Sequence, residues 1–174
     1  MDLSIVTVSY NVSALLSACL SSVYQGLAQT SLATEVWVID NASCDDSAAM
    51  VRRDFPQAHL LTNQENKGFA AATNQGLRQS QGCYLLLLNP DTQVLDEALA
   101  TLVAFMEAHP AAGAAGARLL HADGSFQHSA FRFPTLSQIF LDFFPLHHRL
   151  LDSPLNGRYP RRLYAAGDPF PIDH

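Results

Sequence analysis

The residues of this chain best suited to chemistry fall in four short polar clusters, each directly after an apolar run. Ser9-Tyr10-Asn11 ends the first run, Asp40-Asn41 the second and Asn89-Pro90-Asp91 the fourth. The third is followed by Asn63-Gln64-Glu65-Asn66-Lys67-Gly68. Any one cluster reads as loop chemistry, because Asn, Asp and Gly favour turns. Four of them bring amides, carboxylates and one lysine to the same kind of position. In an open parallel sheet, ligands bind beyond the carboxyl ends of the strands. The four clusters therefore describe one rim, suited to a polar, negatively charged ligand.

Asp91 follows a stiff Pro90 at the end of a wholly apolar run. A carboxylate so placed can grip Mn²⁺ or Mg²⁺, which bind through one or two carboxylates plus substrate phosphates. The alternative is that Asp91 caps the turn at Thr92. Asp40 can accept a hydrogen bond from a nucleobase N–H or a ribose hydroxyl, as acidic strand-end residues do in dinucleotide enzymes. No GxGxxG or phosphate-binding P-loop accompanies it. A nucleotide site without those signatures needs another source of positive charge, and a metal at Asp91 supplies it. Lys67-Gly68-Phe69 opens a helix whose amino end favours phosphate, with Lys67 adding charge. Asn74 lies a turn further on. Ala70, Ala71 and Ala72 also suit a tightly packed crossover helix, and both readings can hold together. The adjacent His147-His148 point apart on a helix and suit an exposed turn better than a metal site. No Ser-His-Asp or Cys-His arrangement is evident.

The elements that must carry these residues alternate strand and helix, the pattern of a parallel α/β sheet. Strands are expected at Leu3–Ser9, Glu35–Asp40, His59–Thr62, Tyr84–Leu88 and Ala114–Leu120. The fourth, apolar on both faces, is expected to be central. A helix from about Ser13 presents Leu15, Leu16, Cys19, Leu20, Val23 and Tyr24 on one face, with Gly26 as its stop. Ser43 is expected to cap the next helix, which Pro56 closes. Further helices run from near Gly68 to near Gly82 and from Asp96 to His109. In the last, Leu99, Leu102, Val103 and Met106 face inward. Asp123-Gly124 predicts a hairpin turn. After Phe131, six prolines break the pattern. Residues 1–130 are thus expected to form one α/β domain, and 131–174 an irregular continuation.

Composition narrows the class. Apolar residues make up 48% of the 174 and charged residues only 15%, which is globular and not disordered. The net charge of −6 excludes general binding to nucleic-acid backbone, and Arg158–Arg162 is too short to reverse that. Three widely spaced cysteines form neither a disulfide framework nor a zinc site. The chain has no visible signal peptide and no apolar run of roughly 20 residues. A cytoplasmic protein is expected. Ile139–Phe144 is strongly apolar and suits core, or a surface for a further segment of chain, a partner or the inner face of the membrane; the further segment is favoured.

Taken in order, these motifs resemble glycosyltransferase family 2, in particular its bacterial rhamnosyltransferase-like branch, over about residues 3–130. The similar segments are Ser9-Tyr10-Asn11, Val38–Ser43 with Asp45 and Ser47, Asn66–Ala70 with Asn74 and Gly76, and Leu87–Thr92. The resemblance implies a GT-A fold, a Rossmann-like, mostly parallel sheet with helices on both faces. It implies that Tyr10, Asp40 and Lys67 line a nucleotide site, with Ser9, Asn11, Asn41, Gly68, Asn74 and Asn89 near it. Asp40 would face uracil or thymine, and Asp91 would hold Mn²⁺ or Mg²⁺ on the diphosphate. Asn89 replaces the first acid of the family's Asp-x-Asp motif, which lowers the metal affinity to be expected.

What the resemblance implies is an inverting sugar transfer from a UDP- or dTDP-sugar to a glycan or lipid-linked acceptor, in cell-surface polysaccharide synthesis. A carboxylate would deprotonate the acceptor hydroxyl, and the metal would neutralise the departing diphosphate. The family's base follows a later Gly-Ala segment and is expected after His174, so residues 1–174 are expected to bind without turnover. Two other readings compete. One is a non-catalytic nucleotide-binding module. The other is a nucleotidyltransferase, which would normally carry a Gly-rich basic loop where Ser9-Tyr10-Asn11 stands.

Overall fold

The computed structural model describes residues 1–130, 135–144, 157–159 and 163–164. By contacts the chain divides into two compact units, Met1–Gly113 and Ala114–His174. The division expected from the sequence falls at 130/131.

The first unit is a four-stranded sheet of β1 (Leu3–Ser9), β2 (Thr34–Asp40), β3 (His59–Thr62) and β4 (Tyr84–Leu87), in the order β3-β2-β1-β4. All three pairings are parallel, so every carboxyl end lies on the same rim. The connecting helices are α1 (Ser13–Leu27), α2 (Ser47–Asp54) and α3 (Phe69–Gln79), and α4 (Ala98–Ala108) follows β4. Side chains alternate across a strand, so β1 feeds two cores. Leu3 and Ile5 pack with Val36 and Val38 of β2, with α1 residues Leu16, Cys19, Leu20 and Val23, and with Leu99 and Val103 of α4. Val6 packs on the opposite face with Ile39 and Ala72 of α3. Gly76 makes that packing close: a Cβ there would lie 2.5 Å from Val6 Cγ1.

Five expectations change. Leu15 is half exposed, while Leu16, Cys19, Leu20 and Val23 carry the buried face of α1. Gly26 does not stop α1; it is buried within the helix, near Val94 and Leu99. Ser43 does not cap α2, which begins four residues later at Ser47 without a side-chain cap. β4 is not central. It ends the sheet, and its Leu85 and Leu87 are each 51% exposed while Leu86 packs into the α1-side core. The helix on that face, α3, lies over β1 and β2. Finally, Ala114–Leu120 adds no fifth strand to this sheet. Small Ala and Gly side chains offer a strand little to pack, and only Leu119–Leu120 (β5) is extended.

In the second unit β5 pairs antiparallel with β6 (Phe126–Gln127) around the expected turn, where Gly124 has φ +79°. The apolar Ile139–Phe144 stretch is largely the end of α5 (Leu136–Phe143), whose amino end is capped by Thr135 Oγ1 accepting from Gln138 N. Its Ile139, Phe140 and Phe143 are exposed. His147-His148 and most of Arg158–Arg162 lie outside the described residues. Among the described residues no helix is long and apolar enough to cross a membrane.

Candidate functional site

Parallel register sets the rim. Ser9 of β1 stands beside Asp40 of β2, which stands beside Thr62 of β3. Two backbone bonds carry the alignment past the strand ends: Asn41 N–H donates to Ser9 O and Asn63 N–H to Asp40 O, both at 2.8 Å. The strand order reverses between β1 and β4, which opens the crevice in which such sheets bind ligands.

Asp40 is the most telling residue there. It is 3% exposed. Its Oδ2 accepts from Ser43 N–H at 3.2 Å, while its buried Oδ1 has no hydrogen-bond partner among the described residues. Ser9 Oγ, fully buried beside it in register, also has no partner among the described residues. Buried polar atoms are nearly always paired, and leaving one unpaired is costly. A ligand N–H or O–H would satisfy Asp40 Oδ1.

The two loops framing Asp40 are clasped together. Asn11 N–H donates to Ser43 Oγ at 3.0 Å, and Cys44 N–H donates to Asn11 Oδ1 at 2.7 Å. Asp45 accepts from Ser13 N–H at 2.9 Å and from Ser47 N–H at 3.0 Å. Asn11 (φ 56°) and Ala42 (φ 67°) both sit in the left-handed region. Asn tolerates it, but for Ala it is strain, of the kind found at binding sites. Ser43 thus serves the clasp and not the helix, because its hydroxyl faces Asn11.

The other expected residues divide by exposure. Tyr10, Lys67, Gly68, Asn74, Asn89 and Asp91 are exposed, while Asn41 is buried and hydrogen-bonded within the protein. Gly68 has φ +78°, a conformation open to glycine, and precedes α3 directly. No hydrogen bond ties Asn74 to the rest of the rim among the described residues. Asn89 works through its carbonyl, which accepts from Thr92 N–H at 3.1 Å and from Cys19 Sγ at 3.7 Å. That pins the Asn89–Thr92 turn to α1.

Asp91, on this turn, has no hydrogen bond or ion pair among the described residues. Its charge is felt nearby: burial, and then Asp91, push the Cys19 thiol up to about 11. Among the described residues no group of three or more His, Cys, Asp or Glu could hold a metal. A lone, uncommitted carboxylate still fits Mn²⁺ or Mg²⁺ shared with a diphosphate and water. Sequence reasoning missed Gln75, which hydrogen-bonds Asn63 from inside α3. A single amide in mid-helix carries no pattern that would single it out.

The family model for glycosyl transferase family 2 matches residues 4–160. An uncharacterized glycosyltransferase of Haemophilus influenzae is 33% identical over 108 residues, covering 62% of this chain and 35% of its own length. Glycosyltransferase GlyA of Streptococcus pneumoniae is 29% identical over 102 residues, 58% of this chain and 14% of its own. The chain thus spans about a third or less of these relatives. Among solved structures, S. aureus TarS 1–349 matches with a TM-score of 0.55 and 24% identity, over 63% of this chain and 33% of its own. The mannosyltransferase PcManGT from Pyrobaculum calidifontis, in complex with GDP-Man and Mn²⁺, matches with a TM-score of 0.53 and 26% identity, over 60% of this chain and 32% of its own. A parallel sheet with its polar rim on one side and a family match across residues 4–160 lead to one conclusion: the chain belongs to glycosyl transferase family 2.

Proposed function

We propose that this chain binds the nucleotide-sugar donor of an inverting, metal-dependent glycosyltransferase. The observation that carries this reading is the unpartnered Oδ1 of buried Asp40 at the rim. It suits a donor N–H or O–H of uridine or thymidine. Tyr10 stands exposed at the same strand ends, suited to stack on a base. Lys67 and the amino end of α3 face the diphosphate, and Asp91 holds Mn²⁺ or Mg²⁺. The metal would supply charge neutralisation for the leaving diphosphate. The acceptor is a glycan or lipid-linked hydroxyl, in cell-surface polysaccharide synthesis on the cytoplasmic side. The PcManGT complex supports a nucleotide sugar with Mn²⁺ in a relative, and a further TarS structure contains UDP-GlcNAc.

Calorimetric titration of the chain with UDP, dTDP, GDP and NAD, each with and without Mn²⁺, tests this. UDP or dTDP should bind most tightly, and more tightly with Mn²⁺. A preference for GDP moves the donor to the PcManGT class, and failure of all three nucleoside diphosphates to bind ends the reading.

A further inference from the structure

The loop that carries Lys67 is held by side-chain amides. Asn63 Nδ2 donates to Gln75 Oε1 at 2.8 Å, and Gln75 Nε2 returns a bond to Asn63 Oδ1 at 3.0 Å. Asn63 Nδ2 also donates to Asn41 Oδ1 at 3.0 Å. The same oxygen accepts from Lys67 N–H at 3.1 Å. Asn41 Nδ2 donates to Asn66 Oδ1 at 2.7 Å, and Asn66 Oδ1 accepts in addition from Gly68 N–H at 2.9 Å. Asn41 is only 2% exposed, and its own N–H is tied to the end of β1. An unbroken chain of amides thus runs from α3, through the residues that directly follow β3 and β2, to the turn before α3.

Two consequences follow from the donor count. The N–H groups of Lys67 and Gly68 are both occupied, so neither is offered to a phosphate. Asn41 Oδ1 already accepts two bonds, which is all its lone pairs allow. Phosphate binding at this turn therefore rests on the Lys67 side chain and on the first N–H groups of α3. The amide chain decides where that side chain starts from.

We infer that Asn63, Gln75 and Asn41 are positioning residues that act on the donor's diphosphate through the Lys67–Gly68 turn. This rests on the donor-binding reading above. Gln75→Met keeps the length of the side chain and removes both of its hydrogen bonds. It should weaken UDP binding about tenfold, as the loss of a mutual pair of neutral hydrogen bonds allows. Uridine, which has no phosphate, should bind within about twofold of wild type, measured by NMR titration on the full chain. In a Lys67→Met background, Gln75→Met should add less than about twofold to the UDP loss, because coupled residues are not additive. If Gln75→Met does not fold, Asn63→Ala breaks the pair from the other side and carries the same comparison. Equal losses for UDP and uridine, or additive losses with Lys67→Met, overturn the inference and leave donor binding standing. No binding of UDP, dTDP or GDP by wild type overturns both.

Discussion

Asp40 and Asp91 differ in their surroundings, and the proposed roles follow from that. Asp40 is buried with one oxygen unpaired among the described residues, which suits recognition of the donor; Asp91 is exposed and uncommitted, which suits sharing a cation. Asp40→Ala is expected to weaken UDP or dTDP binding by roughly 1–3 kcal/mol, the usual loss when a polar partner goes missing. Calorimetry on folded mutant checks this, and unchanged affinity would remove Asp40 from the site. For Asp91 the measurement is the gain in nucleotide affinity on adding Mn²⁺. That gain should vanish in Asp91→Ala and survive, reduced, in Asn89→Ala, since Asn89 offers only a neutral oxygen. Metal-independent binding, equal in wild type and Asp91→Ala, would sink the metal role. Both aspartates were visible in the sequence because each ends an apolar run. That Asp40 would be left with one unpaired oxygen was not, since it depends on where Ser43 comes to rest.

At the scale of elements, Glu35 fastens the opposite end of the sheet. Its Oε1 accepts from Ser4 Oγ and from Gln81 N–H, each at 2.6 Å, and its Oε2 accepts from Trp37 Nε1 at 3.0 Å. Ser4 Oγ in turn accepts from Gly82 N–H at 2.8 Å, so β1, β2 and the approach to β4 are joined. Burial, the largest single effect, pushes the Glu35 carboxyl up. The bonds from Ser4, Gln81 and Trp37, with a smaller contribution from His59, outweigh it together and hold the group below its ordinary value. A carboxyl lowered by folding stabilises fully above its unfolded pKa, about 4.3. That contribution is lost as pH falls below it through the folded value. Thermal midpoints measured down this range should fall in wild type, and fall less in Glu35→Gln. At neutral pH Glu35→Ala should cost about 1–3 kcal/mol, chiefly by leaving the buried Ser4 hydroxyl and the half-buried Trp37 N–H unpaired. An identical acid profile in wild type and Glu35→Gln would exclude this role. The strands themselves were legible from their apolar runs, β1 and β3 to the residue. The neighbours of β4 were not, because an apolar run of four or five residues does not say what covers it.

For the whole chain, the expectation is binding without turnover. Among the rim carboxylates, Asp40 is buried, Asp45 is bonded by two backbone N–H groups, Asp91 is proposed for the metal, and Glu65 is left exposed. Incubating residues 1–174 with UDP-sugars, Mn²⁺ and glycan acceptors should give no transfer; robust transfer would direct attention to Glu65, which is exposed on the loop before Lys67. The sequence by itself determined the alternation of strand and helix, the parallel sheet and the polar rim at which the donor is proposed to bind. Those depend on local periodicity and on polar residues following apolar runs, both of which are written along the chain. Only the tertiary structure decided which rim side chains are held by the protein itself. Asn11 and Asn41 were expected near the nucleotide, and in the fold Asn11 Oδ1 holds Cys44 while Asn41 Oδ1 holds Asn63 and Lys67. Their partners are 22 to 33 residues away in sequence. An amide's role is set by which donors and acceptors surround it, and for these residues folding alone brings those neighbours together.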